Sequence, residues 1–109
     1  MELAFADREL RSLCLNEFKA KQELGPEPAE KLKRRLADLS AAPMVSDIFN
    51  LPGNPRKLPG HQAQVVVDLI DEWQLFFQSG HVKKHVLATG EVDWARIRRI
   101  KILRVGKQR

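Results

Sequence analysis

Cys14 is the only cysteine in the chain. A lone thiol closes no intrachain disulfide, so nothing in the sequence asks for an oxidising compartment. Long apolar runs are missing too. No stretch approaches the roughly 20 apolar residues of a membrane span, and the opening Met1 to Asp7 has neither a basic region nor a long apolar core of the kind a signal peptide carries. Membrane insertion and secretion are therefore not expected, and the cytoplasm is the expected location. Tyrosine is absent altogether, and from Arg96 to Arg109 there is no acidic residue at all.

That last absence is matched by an excess. Seven of the 14 residues from Arg96 to Arg109 are basic. Residues 1–50 hold 8 Lys and Arg against 9 Asp and Glu, whereas residues 51–109 hold 11 against 5, so the net charge of +5 resides in the second half. An ordinary solvated face mixes both signs, and a one-sided run points to a polyanion, with RNA the first candidate. The remaining composition is globular: 43% hydrophobic and 30% charged residues in 109 fit one domain, residues 1–109, that buries a core unaided.

The apolar spacing orders the elements. Met1 to Ala6 reads as a short strand and Asp7 as a helix cap. Leu10, Leu13, Cys14 and Phe18 recur at helical spacing as far as Glu23, with Gly25 as the stop. Pro28 suits the first turn of a second helix with the stripe Ala29, Leu32, Leu36 and Leu39, and the two helices read as an antiparallel hairpin. Residues 43–60 contain too many prolines and glycines for a regular element and read as a long loop. Gln64 to Ile70 and Trp73 to Phe77 then read as a hairpin of buried strands, Asp93 as the cap of a short turn, and Arg98 to Val105 as a last strand. Helices first and strands afterwards predict an α+β fold.

Four pieces of this pattern, in order, are the opening Met1-Glu-Leu-Ala-Phe-Ala-Asp-Arg-Glu-Leu-Arg-Ser-Leu-Cys14, the helix Ala29 to Ala42, the Leu51-Pro-Gly53 turn and the tail from Asp93-Trp94 to Ile102-Leu103. Together they resemble the HigB-like (plasmid maintenance killer) branch of the RelE/ParE superfamily of toxins, over nearly the whole chain. The resemblance implies a RelE-like fold, an N-terminal strand and a two-helix hairpin packed on a small antiparallel sheet. It implies a type II toxin-antitoxin system, in which such a toxin cleaves messenger RNA on the ribosome and is restrained by a cognate helix-turn-helix antitoxin. Relatives on the same fold instead poison DNA gyrase, so the fold does not fix the activity. The sequence departs from the family at Leu58-Pro-Gly-His-Gln62, where Lys and Arg are usual, at Gln74, where an arginine usually stands, and at the Lys107-Gln-Arg109 end, where Asp-Tyr-His is common.

Cleavage of RNA by its own 2′-hydroxyl needs a base, cations for the charge that develops on the phosphate, and an acid for the leaving oxygen, with no metal or cofactor. The cations on or beyond the last strand are Arg98, Arg99, Lys101, Arg104, Lys107 and Arg109, with Arg56 and Lys57 ahead of the loop. Strand alternation places Arg99 and Lys101 on one face and Arg98 and Arg104 on the other. Lys107 and Arg109, with Arg99 and Lys101, are the expected catalytic cations. His61 is the expected acid or base, because imidazole titrates near neutrality. Arg56, Lys57, Arg98, Arg104 and Gln74 are expected RNA contacts. His81 and His85 have the spacing of two ligands on a helix but no third ligand type nearby, so no metal site is expected. Cys14, Trp73 and Trp94 read as core, although a tryptophan among cations also suits base stacking. The alternative to the nuclease is a toxin homologue without catalysis that binds an antitoxin and nucleic acid.

Overall fold

Strand β1 (Glu2–Phe5) leads into α1 (Arg8–Leu15), whose start is closed by Asp7: the carboxylate accepts from the Leu10 amide at 2.8 Å. This takes up one of the amides that a helix start leaves unpaired. The helix does not continue to Glu23 as the spacing predicts. Asn16 leaves the helical backbone, and its side-chain oxygen accepts from the Lys19 amide at 3.2 Å to cap a separate helix, α2 (Glu17–Leu24). Asparagine prefers such a cap to a helix interior because its side chain competes for nearby backbone groups. The break takes Phe18 off the apolar stripe and leaves it 70% exposed. Gly25, at φ +96°, ends α2, and Pro26 and Pro28 open α3 (Pro26–Ala41). Glu17 at the head of α2 pairs with Lys33 midway along α3, so the two helices run antiparallel.

The computed structural model describes residues 1–58, 60–81 and 85–107, with His61, Gln62 and Ala63 described by their backbone alone. Within it the expected loop of 43–60 holds a 3-10 helix, Val45–Asn50, and strand β2 (Arg56–Leu58). Strands β3 (His61–Asp68), β4 (Trp73–Ser79) and β5 (Arg99–Lys107) follow, and the sheet order is β1-β5-β4-β3-β2. Neighbours from β2 to β5 are antiparallel, whereas β1 joins β5 in parallel, so the α+β sheet is mixed and not purely antiparallel. The β3–β4 hairpin turns through Asp71 and Glu72, both at positive φ, the backbone of a type I′ turn.

One face of the sheet makes the core. Val65, Val67, Leu75, Phe77, Ile100 and Ile102 share a cluster with Leu10 and Leu13 of α1 and with Leu32, Leu36 and Leu39 of α3. Burying a side chain such as Phe77 or Ile102 completely contributes about 1.5–3 kcal/mol. Trp94 is also core, edge-on to Phe49 with ring centroids 6.3 Å apart. The short turn at Trp94–Arg96 is closed by the Asp93 carbonyl, which accepts from Arg96, and not by the Asp93 side chain. Among the described residues no helix is long and apolar enough to cross a membrane.

Candidate nucleic-acid interface

Side chains alternate across a strand, so the residues between the core positions occupy the sheet's other face. On β3 and β4 these are Gln64, Val66, Asp68, Gln74, Phe76 and Gln78, and the register aligns them in pairs: Gln64 with Gln78, Val66 with Phe76, Asp68 with Gln74. Across β4 and β5, Gln78 stands opposite Lys101, Phe76 opposite Arg104, and Gln74 opposite Gly106. At the β2 edge Arg56 stands opposite Val66, and at the β1 edge Glu2 stands opposite Arg99. Polar rows thus surround a small apolar centre of Val66 and Phe76.

Simple alternation puts Arg104 on the face opposite to Arg99 and Lys101, and the structure overturns that expectation. Phe76 pairs with Arg104 while the next residue, Phe77, pairs with Ile102, so Leu103 is one residue too many on β5. Such a bulge resets the alternation. Ile100 and Ile102 stay in the core, Arg104 moves to the open face, and Arg99, Lys101 and Arg104 come together on it. Arg98 precedes β5, and its amide donates to Nε2 of His81 at 3.0 Å.

The charges on this face are unevenly paired. Arg56 donates through Nη1 and Nη2 to Asp68 at 3.0 and 3.1 Å, and Gln74, itself buried, donates through Nε2 to Asp68 at 3.0 Å. Burial acts to raise the Asp68 pKa, but the hydrogen bonds from Arg56 and Gln74 and the Arg56 charge outweigh it and hold the carboxyl below its ordinary range. Arg99 lies 3.8 Å from Glu2. Neither Lys101 nor Arg104 pairs with a carboxylate among the described residues. The guanidinium carbon of Arg104 lies 3.8 Å from the centroid of the Phe76 ring.

Of the residues expected from sequence, Arg56, Gln74, Arg99, Lys101 and Arg104 share the open face by register, spread from one edge of the sheet to the other. Lys57 and Lys107 pair with Val65 and Trp73, which puts both on the other side of the sheet by register. Lys107 there lies 5.3 Å from the Trp73 ring. His61 heads β3, but its side chain lies outside the described residues, as does Arg109. His81 and His85 are not on a helix; their rings meet edge-on with centroids 4.8 Å apart. Burial pushes the Cys14 thiol up to about 12, so it is protonated and unreactive near neutrality.

Sequence reasoning passed over Asp68. As the first acid after a run of valines it looks like the end of a buried strand, and only its pairing with Arg56, 12 residues earlier, reveals a carboxylate among cations. No protein-family model matches the chain, and no curated protein or solved structure matches it.

Proposed function

We propose that the open sheet face binds single-stranded RNA and that the chain is a HigB-like toxin of the RelE/ParE type, a metal-independent endoribonuclease that cuts messenger RNA on the ribosome and so inhibits translation. The observation that carries this reading is the meeting of Lys101 and Arg104, cations without a carboxylate partner among the described residues, with the Arg56–Asp68 pair on one face of the sheet. The order of a strand, helices and a run of antiparallel strands agrees with the fold that the resemblance implies. The cognate helix-turn-helix antitoxin, as a partner, rests on the sequence resemblance.

The chemistry follows from the groups present. Asp68, ionised at neutral pH, takes the proton of a 2′-hydroxyl; the 2′-oxygen bonds to the adjacent phosphorus; the bond from phosphorus to the 5′-oxygen breaks, and that oxygen takes a proton from water. Arg56, beside Asp68, holds the charge growing on the phosphate, and Lys101, three strands away on β5, meets the bound strand further along. Protonation weakens the hold of Asp68 on Arg56, which turns the guanidinium over to the phosphate at the moment its charge rises. A carboxylate held below its ordinary range is a weaker base than one poised near neutrality, so Asp68 contributes less than the roughly 10²–10⁴ in rate of a well-matched base.

A second reading, a homologue that keeps RNA and antitoxin binding but does not cut, is favoured by one observation: Gln74, at the position where the family usually has arginine, is buried and bonded to Asp68. Translating ribosomes carrying a defined transcript separate the two. Cleavage leaving 2′,3′-cyclic phosphate ends, lost in Asp68→Asn, supports the nuclease. Intact transcripts in the presence of the unmodified protein select the homologue without catalysis.

A further inference from the structure

The Arg104 side chain, although exposed, lies back over the sheet. Its guanidinium carbon lies 3.8 Å from the Phe76 ring centroid, a spacing reached when the guanidinium plane lies over the ring face. Gly106 leaves room for this placement, because a Cβ there would stand 3.2 Å from Arg104 Nη1. Phe76 is 3% exposed beneath it, while Arg104 itself is exposed. The ring therefore covers the guanidinium from the sheet side, and the exposed Arg104 side chain meets solvent on its outer side. A guanidinium is weakly hydrated above and below its plane and stacks readily on flat π-systems, and RNA-binding proteins use arginine planes as stacking surfaces for unpaired bases.

We infer that Arg104, fixed on Phe76 by the bulge at Leu103, is a stacking platform for one nucleobase of a bound single strand. Phosphate charge is met instead by its neighbours Lys101 and Arg99. This rests on the RNA-binding reading above and adds the form of ligand: the strand must offer a base free of its own stack, so a duplex gains nothing from the platform. The bulge has a purpose in this account, since without the extra residue Arg104 would fall on the core side of β5.

The test separates charge from plane. Arg104→Lys keeps the charge and removes the plane; Arg104→Ala removes both. Binding of a labelled 12-nucleotide adenosine-rich RNA, and of the same strand paired with its complement, is measured for each against the unmodified protein over a range of salt, with folding checked by circular dichroism. Arg104→Lys should weaken single-strand binding on the order of tenfold, with an unchanged salt slope and unchanged duplex binding. Arg104→Ala should show a similar loss of single-strand affinity, again with a nearly unchanged salt slope, because the platform meets a base and its neighbours meet the phosphates. Single-strand affinity for Arg104→Lys equal to that of the unmodified protein overturns the platform and leaves RNA binding standing. An unmodified protein that binds neither RNA overturns the RNA-binding reading and the platform with it.

Discussion

Arg56 on β2 grips Asp68 on β3 with both of its terminal nitrogens, at 3.0 and 3.1 Å. The pair ties the short edge strand to its neighbour and holds the carboxyl ionised to lower pH than an ordinary aspartate. A carboxyl whose pKa is depressed by folding adds stability that is fully present above its unfolded value, about 3.9, and is lost as the pH falls through the lower folded value. Urea unfolding of the unmodified protein and of Asp68→Asn should therefore differ most near neutrality, and the gap should close below about pH 4. A gap that stays constant from neutral to acidic pH contradicts the assignment of this pair.

Gly53 sits at φ +98°, and its carbonyl accepts from the Asp68 amide at 2.7 Å. A Cβ there would stand 2.8 Å from Val67 Cγ1 and 3.0 Å from the Asp68 carbonyl. Gly53→Ala combines backbone strain with a clash against the core, so it should destabilise by about 2–4 kcal/mol, read as a lower urea midpoint. A loss near zero means that the turn lies further from β3 than described.

Glu72 is exposed and has φ +69° in the β3–β4 turn, directly after Asp71 at φ +52°. Side chains pay about 1–2 kcal/mol for this backbone and glycine does not. Glu72→Gly should accordingly stabilise the protein by about 1 kcal/mol in the same unfolding measurement. Destabilisation points to a turn of another type.

The helices and strands were legible because their apolar residues recur at the right periods: Leu32, Leu36 and Leu39 for α3, and the Val65–Val67 and Leu75–Phe77 runs for the central hairpin all lie in the structure where spacing puts them. The break at Asn16 was not, because a capping asparagine and a tolerated mid-helix asparagine look alike until the side chain is seen to accept from Lys19. Strand β2 was hidden in a proline-rich stretch, since three residues are too few to show a period of two. The cations of the last strand were legible as a group, but their division between faces was not. One unpaired residue, Leu103, reverses the face of everything after it, and no residue type marks a bulge reliably. Asp68 acquires its meaning only from Arg56 across the β2–β3 pair.

Whether RNA meets the open face of the sheet is read from the salt dependence of RNA binding for charge-removing variants of each side. Each phosphate neutralised on a single strand contributes about 0.7 to the slope of log K against log salt. Arg99→Ala with Lys101→Ala removes two cations from the open face, and Lys21→Ala with Arg34→Ala removes two from the helices. The first pair should lower the slope by about 1.4 and weaken binding at every salt concentration, while the second should leave both nearly unchanged. Equal losses from the two pairs, or binding that barely responds to salt in the unmodified protein, would contradict binding at the open face.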